Sequence, residues 1–257
     1  MNKKIEKTTD SRVEQIALAR SGRQLMYAPR EKIAVIEVDN FPALGQLAAL
    51  RFLEWVQANP EGVISLPTGK TPEHFIKWVT HYLHHWNLAA VQKELEENGI
   101  DPGQKPQMHS LTFVQIDEFY PINPTQNNSF YHYINKFYIR GFGLDIKKAL
   151  LLNAWTTGMP EGMTPNEVFP NDIVDLSLRT RHGRNKLERL QKEVIEKVDQ
   201  YCTEYETRVR QLGGIGFFLG GIGPDGHIGF NVKGSDHHSI SRWTAVMYDS
   251  PVAATVV

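Results

Sequence analysis

The feature that most constrains the fold is a repeated alternation between short apolar runs and segments with helical periodicity. The clearest helix spans about residues 185–212, where apolar side chains recur every three or four positions. It is followed by GIGFFLGGIG (214–223), an apolar run ending in glycines that is typical of a buried strand. This alternation predicts a doubly wound, mostly parallel α/β sheet with helices on both faces, a Rossmann-like arrangement.

The remaining elements follow the same pattern. Strands are predicted at 32–38, 63–66, 110–116, 148–153 and 243–249. Further helices are predicted from Asp39 or Asn40 to about Ala58, from Pro72 to about Trp86, and from Asn128 to Phe137.

The domain organisation is predicted to be simple. Residues 1–30 are polar and indicate an N-terminal extension that is loose or a peripheral helix, while residues 31–257 indicate one α/β domain. Residues 155–190 begin with a proline-containing stretch that has no clear period, so we expect an inserted surface segment there.

Composition excludes several classes of function. The formal net charge of −1 provides no basic surface for nucleic acid or an anionic membrane. No apolar run approaches the ~20 residues that a membrane span needs, and the N-terminus lacks the apolar core of a signal peptide. The single cysteine, Cys202, lies beside the apolar stripe of the long helix and is expected to fill the core. We therefore expect a soluble cytoplasmic protein.

A first candidate for ligand binding is the loop in GVISLPTGKTPE (62–73). It lacks the glycine spacing of a nucleotide-binding P-loop, yet an apolar strand runs into a glycine turn here. Thr71 is a candidate N-cap with Pro72 at the first helical position, which would aim free N–H groups at the loop. Together with the charge of Lys70, the segment Thr68, Gly69, Lys70 and Thr71 predicts a phosphate site; an ordinary strand–turn–helix junction is the alternative.

Two acids end the predicted strand at 110–116. Asp117 and Glu118 cannot point the same way, because side chains of a strand alternate between its faces. If one faces a cleft, it is a candidate general base whose pKa is tuned by burial. The alternative is that both acids are simply solvated side chains on the protein surface.

The segment GGIGPDGHIGFN (220–231) is the richest in chemistry. Gly220, Gly221 and Gly223 let the backbone approach a ligand closely. Asp225 and His227 stand two residues apart, so the carboxylate can orient the imidazole for proton transfer near neutral pH. A structural turn with a solvated histidine is the alternative.

Other histidines carry less information. His81, His84 and His85 share a helical spacing, but no carboxylate or cysteine joins them at ligand spacing, which favours a solvated face over a metal site. The His237–His238 pair lies in a polar loop and is interpreted in the same way.

Together these motifs resemble those of the glucosamine-6-phosphate deaminase/isomerase family. The resemblance rests on PTGKTPE, the IDEFY junction, YCTEYETRV, the segment GGIGFFLGGIGPDGHIGFN and a later Ser241-Arg242, in family order from about residue 32 to the end. The related 6-phosphogluconolactonases share the DGH element but continue differently, so Gly229-Phe230-Asn231 favours the deaminase branch.

The resemblance implies a reaction and roles. The family opens the ring of glucosamine 6-phosphate, isomerises it from aldose to ketose and releases ammonia to leave fructose 6-phosphate. Asp117 resembles the acid that moves a proton between C1 and C2, His227 the histidine that assists ring opening, and Asp225 the carboxylate beside it. The loop Thr68–Thr71 resembles the phosphate-binding turn, and Glu118, Gly221, Gly223, Gly226 and Asn231 are expected to contact the substrate. The resemblance implies no metal or organic cofactor, a hexosamine phosphate as the small-molecule partner, and a homo-oligomer.

Three departures from the family pattern bear on activity. The stretch Phe230–Lys233 reads FNVK, with Val232 where the family has a glutamate that pairs with the ring-opening histidine. Lys70 stands where the family has a small residue. The chain also stops at Val257, where the family continues into elements that bring further cations to the phosphate, which suggests a part of a longer protein or a changed site. A catalytically impaired sugar-phosphate-binding protein and a lactonase-type hydrolase therefore remain as alternatives.

Overall fold

The chain forms two compact units in a computed structural model that describes residues 9–21, 35–223, 225–247 and 252–256. One unit comprises the described residues within Met1–Gly62, Lys70–Leu111 and Gly141–Gly143. The other comprises those within Val63–Gly69, Thr112–Arg140 and Leu144–Val257. We call them the helical unit and the sheet unit. The prediction of one α/β domain over 31–257 stays a prediction.

The helical unit is built from amphipathic helices. They are α1 (Arg12–Ser21), α2 (Phe41–Ala58), α3 (Glu73–His85) and α4 (Ala89–Glu97), followed by a 3₁₀ turn at Met108–Ser110. The α2 helix begins where the sequence predicts, because Asn40 accepts a hydrogen bond from the Ala43 N–H at 2.9 Å. Its core side chains Phe52, Leu53 and Val56 are buried together with Phe75 and Val79 of α3.

The sheet unit contains every strand that the structure describes. These are β1 (Val63–Ser65), β2 (Thr112–Val114), β3 (Glu118–Tyr120), β4 (Ala149–Leu150), β5 (Phe217–Phe218), β6 (Trp243–Met247) and β7 (Val252–Val256). Its helices are α5 (Phe130–Ile134), continued by a π-helix at Asn135–Gly143 whose end lies in the helical unit, α6 (Pro165–Val168) and α7 (Lys186–Gln211). Three 3₁₀ turns span Ile146–Lys148, Pro170–Asp172 and Leu176–Arg179.

A four-stranded parallel sheet determines where ligands can bind. Its order is β4-β2-β1-β5, with Val63 opposite Thr112 and Ile64 opposite Phe217. From β1 the chain moves outward through β2 to β4 and then returns to β5 on the other side of β1. The strand order therefore reverses between β1 and β5, and ligands of such sheets bind beyond the carboxyl ends at this point. The parallel sheet with intervening helices confirms the predicted α/β class.

A second sheet was not predicted. Strands β3, β7 and β6 form an antiparallel sheet in that order. The strand predicted at 243–249 is thus present as β6, but it pairs antiparallel and precedes a further strand. The acids at 117–118 likewise do not end one strand, because β2 ends at Val114 and Glu118 begins β3.

Other expectations at the level of elements are corrected. Residues 32–34 of the strand predicted at 32–38 lie outside the described residues, and 35–38 have no strand structure because none of the described strands pairs with them. The α3 helix begins at Glu73 and not at Pro72, and Thr71 makes no capping bond. Strand β5 was expected to be buried, yet Phe218 is 49% exposed because β5 is at the sheet edge.

The long helix α7 supports the sheet unit as its period predicts. Asn185 caps its start at the Glu188 N–H (2.9 Å), and Val194, Val198 and Cys202 are buried. Burial raises the pKa of Cys202 to about 12, which agrees with the predicted core role. Against the same core pack Val168, Phe169 and Leu178 of the segment 155–190, all fully buried. That segment is therefore not purely superficial as predicted, because its few apolar residues cover the α7 side of the core.

Candidate active site

Asp117 follows the carboxyl end of β2, and the protein holds it in an apolar environment. The residue is 7% exposed, and no described donor reaches its side-chain carboxylate. Its backbone is fixed by the buried Gln115, whose Nε2 donates to the Asp117 carbonyl at 2.8 Å and whose Oε1 accepts from the Leu152 N–H at 2.9 Å. Tyr205 of α7 donates in turn to the Gln115 carbonyl at 2.6 Å.

The burial of Asp117 changes its acidity. Desolvation, assisted by the neighbouring charge of Glu118, raises the pKa of Asp117 to about 7. A carboxyl group with this pKa is divided between its acid and base forms at neutral pH. It can therefore accept and return a proton during one reaction cycle.

Glu118 lies in a different environment. Its carboxylate is fully buried and accepts four hydrogen bonds, from the backbone N–H groups of Phe119 (2.9 Å), Phe130 (3.0 Å) and Tyr131 (2.7 Å) and from the Ser129 hydroxyl (2.9 Å). The contact of this side chain with substrate stays a prediction, and in the structure its oxygens accept hydrogen bonds from β3 and from the start of α5.

The loop after β5 approaches Asp117 through a tight turn. Ile228 and Asn231 exchange backbone hydrogen bonds of 3.2 and 3.0 Å around Gly229-Phe230, and Gly229 has a φ of 58°. A Cβ atom added to Gly229 would lie 3.4 Å from Oδ2 of Asp117. The positive φ of Gly229 favours glycine at this turn, and the loop that carries His227 passes beside the buried carboxylate.

Asp225 and His227 form the pair that their spacing predicts. Oδ1 of Asp225 is hydrogen-bonded to Nδ1 of His227, and this bond lowers the pKa of Asp225. The imidazole lies over Gly223, where an added Cβ would be 2.0 Å from its Cε1 atom. The Gly223 N–H donates to the His227 carbonyl at 2.8 Å, so this glycine both supports the histidine and gives it room.

The same loop contacts three further parts of the chain: the residue before β6, α5 and β3. Arg242 donates to Oδ1 of Asn231 at 2.7 Å. The ring of Phe230 stacks on Phe130 at 5.9 Å between centroids and lies edge-on to Phe119 at 5.1 Å. The phenylalanines inside the IDEFY and GFN motifs, with Phe130 after the first, were the available signal for this cluster, and it was missed.

The predicted phosphate loop lies after β1. Gly69 has a φ of 83° with open space around it, which is the backbone conformation that a glycine turn allows. The Tyr138 hydroxyl donates to the Pro67 carbonyl and holds the start of the turn. Thr68 and Gly69 belong to the sheet unit, whereas Lys70 and Thr71 are exposed members of the helical unit.

The predicted site residues thus divide into groups. The turn at Gly229 lies beside Asp117, and Asp225, His227 and Gly223 form one cluster in the same loop. Gly226 has a φ of 84° and completes the turn around Asp225, and Gly221 is half-buried at its start. Thr68 and Gly69 follow the neighbouring strand at the same edge of the sheet. The roles of these residues toward a substrate stay predictions.

The remaining histidines give no metal centre in the part of the chain that the structure describes. His81 and His85 stack with ring centroids 4.8 Å apart on α3, but no group of three or more metal-ligating side chains is present among the described residues. Within the same ranges, no helix is long and apolar enough to cross a membrane.

The chain is similar in sequence to several glucosamine-6-phosphate deaminases. The chain is 27% identical over 206 residues to a glucosamine-6-phosphate deaminase of Shouchella clausii, covering 80% of this chain and 60% of that protein. The chain spans 56–60% of the length of the curated relatives that match it over most of its own length. No family model matches it.

Solved structures show the fold. A monomeric glucosamine-6-phosphate deaminase of the NagB superfamily matches with a TM-score of 0.59 at 20% identity, over 87% of this chain and 75% of that one. A 6-phosphogluconolactonase from Thermotoga maritima matches with a TM-score of 0.50 at 13% identity, over 86% and 74% of the two chains. The resemblance indicated by the sequence motifs is therefore confirmed: the chain is similar in sequence to glucosamine-6-phosphate deaminases, and it shares a doubly wound α/β fold with these solved structures.

Proposed function

We propose that this protein is a sugar-phosphate isomerase/deaminase that converts glucosamine 6-phosphate, or a related hexosamine phosphate, to a ketose phosphate and ammonia. The observation that carries the proposal is the buried Asp117 carboxyl with a pKa of about 7, beside the turn at Gly229 of the loop that bears His227. A base and a proton shuttle at one edge of the sheet are what aldose–ketose isomerisation requires.

The proposed mechanism divides the work between these two groups. His227, oriented by Asp225 through Nδ1, transfers a proton to the ring oxygen as the C1–O5 bond breaks, and the O1 hydroxyl gives up its proton to leave an aldehyde at C1. Asp117 then takes the proton from C2 while the aldehyde oxygen regains one, which gives an enolamine, and returns the proton to C1. Water adds to the resulting C2 iminium, and the C2–N bond breaks to release ammonia and leave the ketone. Each step moves protons between side chains and substrate, so the proposal invokes no cofactor.

The phosphate is assigned to the loop Thr68–Thr71. Gly69 leaves its backbone open to an anion, and the exposed Lys70 supplies a cation beside it. Replacing Lys70 by alanine should weaken binding of glucosamine 6-phosphate by about one to two orders of magnitude, since a charge-assisted contact contributes roughly 1.5–3 kcal/mol. Calorimetry with Lys93→Ala as control checks this, because Lys93 is an exposed lysine of the same unit. An unchanged affinity for the phosphorylated sugar would remove Lys70 from the site.

The direct test of the function is product release. Purified protein should form fructose 6-phosphate and ammonia from glucosamine 6-phosphate in equal amounts. An absence of both products, with 6-phosphogluconolactone hydrolysed instead, would overturn the proposal in favour of a lactonase.

A second candidate is a sugar-phosphate-binding protein with impaired catalysis, and Val232 is the observation that favours it. Among the described residues, Asp225 is the one acidic group bonded to His227, and Val232, 46% exposed, offers the imidazolium no second carboxylate. Ring opening should therefore be slow in the wild-type protein.

Restoring the acid decides between these candidates. Val232→Glu should raise deamination by roughly 10²–10⁴-fold, the range of a positioned acid–base group. Val232→Gln is the matched control, because it has the same size without the charge. Hexose phosphate binding with no ammonia from either the wild type or Val232→Glu would establish the binding protein. A cytoplasmic location and a homo-oligomer complete the proposal, and gel filtration tests the latter.

A further inference from the structure

Glu118 has a more complete set of hydrogen bonds than its neighbour in the candidate site, Asp117. Oε1 accepts from the N–H groups of Phe119 and Phe130, and Oε2 accepts from the Tyr131 N–H and the Ser129 hydroxyl, all between 2.7 and 3.0 Å. Ser129 is itself the N-cap of α5, and its Oγ accepts from the His132 N–H at 3.3 Å. The side chain therefore joins β3 to the start of α5.

This arrangement determines the charge of Glu118. A carboxylate has about four lone-pair positions for donors, and all four are used here. The Ser129 hydroxyl donates to Glu118, since its oxygen is oriented toward His132 as an acceptor. Burial raises the pKa of Glu118 and the hydrogen bonds oppose that rise, but a proton on either oxygen would displace one of the four donors. The fully bonded side chain is the anion.

A buried anion thus lies directly next to Asp117 in the chain. Besides Glu118, the described ionisable group that interacts with Asp117 is Tyr205 of α7, whose hydroxyl is held by the Gln115 and Leu150 carbonyls. Tyr205 is neutral, because burial raises the pKa of its hydroxyl well above the ordinary value. The electrostatic environment of Asp117 therefore depends on Glu118.

We propose that Glu118 is a positioning residue for the proton-transferring carboxylate: its bonds to the start of α5 hold Asp117 beside the turn at Gly229, and its fixed negative charge lies next to that carboxyl in the chain. The effect on kcat that we expect from this inference rests on the proposed function. The inference replaces the expectation that Glu118 contacts the substrate.

The experiment is a titration of Asp117 by carboxyl ¹³C NMR in wild type, Glu118→Gln and Glu161→Gln. Glu161 is an exposed glutamate of the same unit, so its variant controls for the loss of one charge. The Asp117 midpoint should be lower in Glu118→Gln, because the adjacent anion is gone, and unchanged in Glu161→Gln. With glucosamine 6-phosphate, kcat of Glu118→Gln should fall on the order of 10²-fold, the cost of a small misplacement, and the acid limb of its pH profile should move to lower pH.

Ser129→Ala separates position from charge and replaces Glu118→Gln if that variant does not fold. It keeps the anion but removes one of its four donors, so kcat should fall about tenfold while the Asp117 midpoint is not lowered. A folded Glu118→Gln with the wild-type midpoint overturns the inference, as does Ser129→Ala with wild-type kcat. If wild type releases no ammonia, the proposed function fails. The inference is then tested by the titration of Glu118→Gln, where an unchanged Asp117 midpoint overturns it. If that variant does not fold, an Asp117 carboxyl resonance that is unchanged in Ser129→Ala overturns it.

Discussion

Asp117 and His227 belong to two regions of the sheet unit that hold a functional side chain by opposite means. Asp117 is 7% exposed and depends on contacts with Gln115, Glu118 and the core beneath β2. The side chain of His227 is 35% exposed and that of Asp225 is 63% exposed, and their geometry comes from the loop itself.

The two regions differ in how far the neighbouring residues in the sequence determine them. In the loop, an acid, a histidine and correctly spaced glycines fall within Gly223–Gly229, so a motif specifies the arrangement. At Asp117 the decisive property is desolvation, and desolvation is contributed by distant parts of the chain. The two regions should therefore respond differently to substitution.

The largest effect is expected from removing the buried base. Asp117→Asn keeps the shape of the side chain and should lower kcat by roughly 10²–10⁴-fold with little change in substrate affinity. Steady-state assay of ammonia release and calorimetric titration with glucosamine 6-phosphate check both parts. Full activity in this variant would exclude Asp117 from proton transfer.

The second prediction concerns stability against pH. Because the folded-state pKa of Asp117 is raised to about 7 from 3.8, the folded protein retains a proton that the unfolded chain loses between these values. The contribution of this group to the free energy of unfolding is fully present below pH 4. It is lost as the pH rises to about 7, and the free energy of unfolding falls by up to about 4 kcal/mol, at 1.36 kcal/mol per pKa unit.

Denaturant unfolding at several pH values measures this loss. Asp117→Asn should be more stable than wild type at pH 8 and should lose the pH dependence between pH 4 and 7. Asp225→Asn, in the exposed loop, should leave the difference between pH 4 and pH 8 as in wild type. Equal curves for Asp117→Asn and wild type would show that the carboxyl is not desolvated in solution.

The third prediction perturbs the exposed loop without removing its acid–base groups. Gly223→Ala places a methyl group on the imidazole of His227 and should lower kcat on the order of 10²-fold by displacing the ring. The double variant with His227→Gln should be no slower than His227→Gln alone, because both changes disable one group. Additive losses would mean that Gly223 acts through something other than the histidine.

The smallest effect is expected from the hydrogen bond between Asn231 of the loop and Arg242, the residue before β6. Arg242→Ala removes the hydrogen bond to Oδ1 of Asn231, which is worth roughly 1.5–3 kcal/mol for a charged donor, and part of that should appear as about a tenfold loss of kcat. Arg242→Lys, which keeps a charged donor, should recover some of it. Wild-type kinetics for Arg242→Ala would show that the loop holds its shape alone.

Much of the fold was predictable because the relevant signals are local. The caps at Asn40 and Asn185 and the stripe of α7 fixed their helices within a residue or two. The start of α3 was misplaced by one residue, since proline itself occupies the capping position. The strand predicted over the described residues 35–38 and the buried character of β5 were wrong, since alternation and apolarity do not tell whether a neighbouring strand is present.

The sequence by itself determined the α/β class, the family resemblance and the Asp225–His227 pair, because each depends on residue type and short spacing. Only the tertiary structure decided that Asp117 is desolvated with a pKa of about 7, while Glu118, one residue on, is a fully bonded anion at the start of α5. The physical reason is that both carboxyls depend on residues that are distant in the sequence. Glu118 accepts hydrogen bonds from residues 11–13 positions further along the chain. The support of Asp117 includes the hydrogen bond between Tyr205 and Gln115, which are 90 positions apart. Folding alone brings those segments to them.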